Sequence, residues 1–177
     1  DLLRSRGLGD VYKRQLVAFL AADSDLLETH VLNKAAAWVA GDTNPMIHTE
    51  ILFVDRETPE GFVGRSCSIH YGGKVFLEQK KFSRKQWRFR SVSATDTQIQ
   101  SALKFCQEHV GEPFNKLGFF MQPIVGSRLT KKSWFCSEIV AGALNAAGVQ
   151  VEPSLHPHAL YKAIADNTTP DCPRVLE

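Results

Sequence analysis

Cys136 lies in Ser133-Trp134-Phe135-Cys136-Ser137-Glu138, at the front of an apolar run that follows an irregular stretch. Behind it Ile139, Val140, Ala143, Leu144 and Ala147 recur at helical spacing, and Gly148 marks a stop. The pattern predicts a buried helix over Trp134–Ala147 with the cysteine in its first turn. A helix N-terminus offers unpaired N–H groups and the positive end of the dipole, which favour a nucleophilic thiolate and can receive the oxyanion of a tetrahedral intermediate. Such a thiol needs a base. His48, near the start of an apolar strand, is the best placed histidine, able to take the thiol proton and later protonate a leaving group. The same residue types also serve as a small core thiol and a polar strand residue, and pattern by itself leaves both uses open.

Other constellations are weaker. His48-Thr49-Glu50 has the H-x-E order of zinc deaminases, but no Cys-x-x-Cys accompanies it, and no metal site is expected. His156 and His158 flank Pro157, as in an exposed turn, while His30 and His109 fit the surface of amphipathic helices. Lys80, Lys81, Arg84, Lys85, Arg88 and Arg90 interleave with Phe82, Trp87 and Phe89. A polyanion could use that pattern, yet a twisted strand with a solvated basic face explains it more simply, so there is no strong nucleic-acid signal. Gly72-Gly73 is a turn; no phosphate-loop pattern follows it.

The elements that must position these residues read as strands gathered ahead of helices. Leu16–Leu20 suits a buried strand, and a helix capped by Asp23 or Ser24 carries Leu27, Val31, Ala35 and Trp38 before Gly41. Ile47–Asp55 is a strand, Phe62–Tyr71 and Lys74–Gln79 form a hairpin, and Gln86–Val92 sets Trp87 and Phe89 opposite Arg88 and Arg90. Thr95 or Asp96 caps a helix with Ile99, Ala102, Leu103 and Cys106 on one stripe; a short helix spans about Pro157–Asp166. The order argues an α+β fold. The long segment Pro113–Ser133 leads into the nucleophile and holds Phe114, Phe119 and Phe120, fit to form an apolar pocket wall.

Composition sets the outer bounds. A chain of 177 residues that is 44% hydrophobic and 23% charged is one ordinary domain. It has no apolar run of the roughly 18 residues a transmembrane helix needs. Residues 1–15, DLLRSRGLGDVYKRQ, read as foreign: Asp10–Gln15 back-translates to a sequence resembling a transposon mosaic end used in sequencing libraries, and the segment is expected to take no part in the fold. It carries four of the 21 Lys/Arg and two of the 19 Asp/Glu, so the formal charge of +2 vanishes without it. The expected organisation is a scar at 1–15, one domain at 16–166 and a polar tail at 167–177. Cys67, Cys106, Cys136 and Cys172 are widely spaced, as reduced thiols of a cytoplasmic protein would be.

Taken in order, these segments resemble a known family. Leu16–Phe19, the helix ending at Gly41 and His48 opening a strand are similar to the first half of circularly permuted NlpC-like papain-fold cysteine hydrolases, a group that includes YiiX-like proteins and, more distantly, lecithin-retinol acyltransferase relatives. Gly111-Glu112-Pro113-Phe114-Asn115 resembles the family's Gly-x-Pro-Tyr-Asp segment, Trp134–Glu138 its aromatic-Cys-Ser/Thr-Glu motif, and Pro157–Tyr161 its late Pro-x-x-Leu-Tyr segment. The resemblance spans Leu16 to about Tyr161. It implies a permuted papain-like α+β fold, an antiparallel sheet against helices, with Cys136 as nucleophile, His48 as base and Glu78 as the orienting carboxylate; His70 and Glu50 compete for that third place. It further implies a pocket including Glu50, His70, Asn115, Phe119, Trp134 and Ser137, no cofactor, and a peptide, isopeptide or lipid-acyl substrate attacked at an amide or ester. The rival is a catalytically inactive binding domain on the same fold. Phe114-Asn115 in place of Tyr-Asp, and Thr49-Glu50 in place of a small apolar pair, depart from the family pattern and bear on substrate choice.

Overall fold

The computed structural model describes residues 15–22, 44–115, 134–153 and 156–165. Five strands make one antiparallel sheet: β1 (Gln15–Ala21), β2 (Met46–Thr58), β3 (Gly61–Ile69), β4 (Val75–Ser83) and β5 (Trp87–Val92), in the spatial order β4-β3-β2-β1-β5. Three helices follow among the described residues: α1 (Asp96–His109), α2 (Cys136–Ala146) and α3 (Pro157–Ala165). The chain is therefore α+β, and among the described residues strands come first and helices after, as the hydrophobic pattern implied.

Alternation along the strands divides the apolar residues between two faces. Val17, Phe19, Ile51, Phe53, Cys67 and Ile69 meet the buried stripe of α1 and α2, namely Ile99, Ala102, Cys106, Ile139, Val140, Ala143 and Leu144. Leu16, Ala18, Leu20, Leu52, Val54, Phe62, Phe82 and Trp87 form a second cluster on the other face. The helices pack closely because of Gly142: a Cβ there would lie 2.4 Å from Cζ of Phe105 on α1. Thr95 caps α1 with a reciprocal bond pair, its Oγ1 accepting the Gln98 N–H at 3.4 Å while its own N–H reaches Gln98 Oε1 at 2.9 Å. Gly148, with φ of 79°, ends the turn after α2.

Several boundaries move from their expected places, for physical reasons. Gln15, assigned to the foreign segment, is fully buried and pairs with Phe53 and Val92. A central strand needs partners on both sides, and Gln15 has them; residues 1–14 lie outside the described residues. The expected helix before Gly41 and Phe119 also lie outside them. α2 begins at Cys136 rather than Trp134, because the Trp134 N–H and C=O bond Pro113 O and the Asn115 N–H at 3.0 Å each, in an extended bridge. β4 runs on through Lys80 to Ser83, extending the hairpin with β3. His158, expected in an exposed turn, is buried in the first turn of α3, where its Nδ1 accepts the Met46 N–H at 3.2 Å. No described helix is long and apolar enough to cross a membrane.

Candidate active site

The start of β2, the end of β3 and the start of β4 share one end of the sheet, as antiparallel order requires. A short ladder ties the segment ahead of Cys136 to that end. Val75 N–H donates to Glu112 O at 2.8 Å, Phe114 N–H to Gly73 O at 3.0 Å, and Lys74 and Pro113, then Phe114 and Trp134, form isolated bridges. Trp134 is fixed further by its indole N–H, which donates to the Glu112 carboxylate, and by the edge of the His109 ring at 5.0 Å. Cys136 follows two residues later as the first residue of α2.

The helix start is held by Glu138. This residue is 6% exposed, and its carboxylate accepts the Phe135 N–H at 3.0 Å. The first intrahelical bond runs from Ile139 N–H to Phe135 O. The amides of Cys136 and Ser137 therefore have no acceptor within the helix, the usual state of a first turn. Cys136 is half-buried and reduced.

Cys136 lies near enough to His48 to raise the pKa of its imidazole. The imidazole donates Nε2–H to Glu50 Oε1 at 3.3 Å. Its ring stacks on His70 with centroids 5.1 Å apart, and Trp87 meets it edge-on at 6.2 Å. Burial would lower the His48 pKa, but its bonds to Cys136 and Glu50 and their charges outweigh burial and raise it from 6.5 to about 9. His48 therefore carries a proton at neutral pH.

Glu50 is 1% exposed and satisfied by three donors. Ser66 Oγ–H reaches Oε2 at 2.7 Å, Lys80 Nζ reaches both oxygens at 3.1 Å, and His48 reaches Oε1. Burial works against its charge; the bond to His48, the His48 and Lys80 charges and the Ser66 hydroxyl prevail and bring its pKa down to about 2. His70 is shifted the other way, below its ordinary value, by burial and by the positive charges of His48 and Lys80.

Of the three residues expected to carry chemistry, Cys136 and His48 meet, and Glu78 does not join them. Glu78 is exposed on the edge strand β4, opposite Ser66 of β3, two strands from β2. Among the described residues the carboxylate hydrogen-bonded to the His48 ring is Glu50, which shares its strand face at i+2. His70 lies against His48 by ring stacking. Asn115 is buried behind the loop, and Ser137 is buried in the first turn of α2. Phe114 packs edge-on against Tyr71 and Phe135, with centroids 5.1 and 5.5 Å apart. Sequence reading missed Ser66, and it read Lys80 only as part of a basic surface; the signal lay in the β3–β4 register, which turns both toward Glu50 across the sheet. Among the described residues no three His, Cys, Asp or Glu side chains gather as a metal site.

The chain matches no family model, and no curated protein or solved structure shows significant similarity to it.

Proposed function

We propose that the protein is a thiol hydrolase or acyltransferase of the permuted papain-like type, acting on an amide or ester through a Cys136 acyl-enzyme. The observation that carries this reading is the chain of contacts from Cys136 through His48 to a buried, ionised Glu50. His48 precedes Cys136 in sequence, the permuted order. In the proposed reaction the thiol proton already rests on His48 as the imidazolium, and the Sγ thiolate attacks the carbonyl carbon. The carbonyl π electrons move onto oxygen, and the oxyanion is met by the first-turn amides of α2. As the C–N or C–O bond breaks, the imidazolium gives its proton to the departing amine or alcohol, leaving a thioester on Cys136. Water, or an acceptor hydroxyl or amine, then loses its proton to His48 as it attacks the thioester, and Sγ departs with the bonding electrons. Glu50 keeps its charge throughout and stabilises the imidazolium.

Phe114, Phe135 and half-exposed Tyr71 make the surroundings of the thiol aromatic, which suits a peptide side chain or an acyl chain better than a sugar. The test is turnover of acyl esters of increasing length, aminoacyl amides and muropeptide mimics by wild type and Cys136→Ala, with iodoacetamide labelling of Cys136 followed by peptide mapping. Turnover that disappears in Cys136→Ala is expected. Rapid labelling at pH 7 with no turnover of any of the three classes would favour the inactive binding domain, and no labelling of the folded chain would end the thiol reading.

A further inference from the structure

Lys80 stands out among the charged groups near the proposed site because its ammonium lies within 3.1 Å of both oxygens of a carboxylate that is itself buried. A buried carboxylate with a single weak partner would take up a proton, and a neutral Glu50 would lose most of its hold on an imidazolium. The 3.3 Å bond from His48 is the longest of the contacts on Glu50, and His48 shares the stabilisation of its charge with Lys80 and Ser66. Lys80 bridges Oε1 and Oε2 while Ser66 fixes Oε2, which turns Oε1 toward His48. The ammonium is in turn held over the Phe76 ring at 4.0 Å from its centroid, Phe76 stacks on His70 at 4.9 Å, and His70 stacks on His48. The lysine is thus set on the same packed stack that confines the imidazole.

We propose that Lys80 is a positioning residue for the reaction, clamping Glu50 in its ionised form and in the orientation that lets it hold His48 against Cys136. The inference deepens the thiol-hydrolase reading and rests on it. The groups facing His48 are Cys136 from α2, Glu50 from its own strand, and His70 after β3, with uncharged Trp87 from β5; Lys80 from β4 reaches the imidazole by way of Glu50. Two effects of opposite sign follow from a cation at that place. Direct repulsion would make the imidazolium less stable, so removing the charge would raise the His48 midpoint. Clamping of Glu50 makes it more stable, so removing the charge lowers the midpoint, and this is the sign the bidentate geometry favours.

The experiment follows His48 by NMR of its ring and Cys136 by iodoacetamide rate against pH, in the full chain and in Lys80→Met, Lys80→Arg and Glu50→Gln, with peptide mapping to read Cys136. The His48 midpoint is expected to fall by about a unit in Lys80→Met, with the alkylation rate at pH 6 down about tenfold, and both to recover largely in Lys80→Arg. In the Glu50→Gln background, which also removes the unpaired buried charge should Lys80→Met fold poorly, replacing Lys80 should leave the His48 midpoint where Glu50→Gln sets it. An unchanged or raised midpoint in Lys80→Met, or a Lys80 effect persisting at full size without Glu50, would overturn the proposal. The thiol-hydrolase reading fails separately, if wild-type Cys136 alkylates with an ordinary thiol profile; the His48 comparison still decides Lys80 in that case.

Discussion

Cys136 and the pair Cys67–Cys106 show how one residue type acquires two characters from its surroundings. Cys67 on β3 and Cys106 on α1 are wholly buried where sheet meets helix, and Cys106 is pushed well above the ordinary thiol range by its hydrogen bond to Cys67 and by burial. Among the described residues no basic side chain is paired with either, and both act as core. Cys136 touches the same apolar cluster from its edge, yet it is half-buried, opens a helix and bonds an imidazole that holds its proton to about pH 9. The difference lies in what faces the sulfur, and in a helix end instead of a helix middle.

The largest effect expected concerns labelling. In the folded protein at pH 7, iodoacetamide should modify Cys136 at least about 100-fold faster than Cys67 or Cys106, whose labelling should wait on unfolding. Equal rates for the three would erase the contrast. Replacing His48 with Ala should cost Cys136 about two orders of magnitude in rate at pH 6.5, since the thiolate loses its counter-ion, while the Cys67 and Cys106 rates stay as they are. The upper limb of the wild-type activity profile should fall near pH 9, where His48 loses the proton it must donate.

Acid and base also separate the polar cluster from the apolar one. Glu50 is lowered from 4.5 to about 2, so its contribution to stability is complete above pH 4.5 and is lost as pH falls toward 2. His48 is raised from 6.5 to about 9, so its contribution is complete below pH 6.5 and is lost as pH rises through 9. Both are in place between pH 4.5 and 6.5, where the urea midpoint should peak. The Glu50 term is on the order of 3 kcal/mol, and Glu50→Gln should flatten the acid limb. An acid limb equally steep in that variant would show that other carboxylates cause it. Activity should fall about tenfold in the same variant, less than in His48→Ala, because an orienting group is partly dispensable.

Much of this arrangement could be read from residue order, and the unread part has a common cause. Strands before helices, Thr95 as a cap, and the helix behind Cys136 are local signals written in spacing. Gln15 was expected outside the sheet because a single polar residue at a strand start looks like flank until its two neighbours across the sheet are known. Glu50 was in view as the residue two positions from His48 on one strand, but the family resemblance pointed to Glu78, and only the folded sheet reveals which carboxylate bonds the imidazole. Ser66 and Lys80 depend on register, which a two-glycine turn leaves ambiguous. Their chemistry is cross-strand, and cross-strand contact is what linear spacing encodes least.

The smallest effect expected belongs to Glu78, and it sharpens the comparison by testing which carboxylate belongs to the reactive thiol. Glu78 is exposed on an edge strand, and its reach is limited to a weak electrostatic influence on His70 that partly opposes the lowering of that ring. Across two strands and in contact with water, a carboxylate exerts a screened influence on His48, unlike the buried contact Glu50 makes at 3.3 Å. Glu78→Gln should therefore change the Cys136 alkylation rate and the His48 midpoint by less than about twofold and about 0.2 units, within what a surface charge produces. Stability should also stay within about 0.5 kcal/mol. A loss comparable to that of Glu50→Gln would restore Glu78 as the orienting residue.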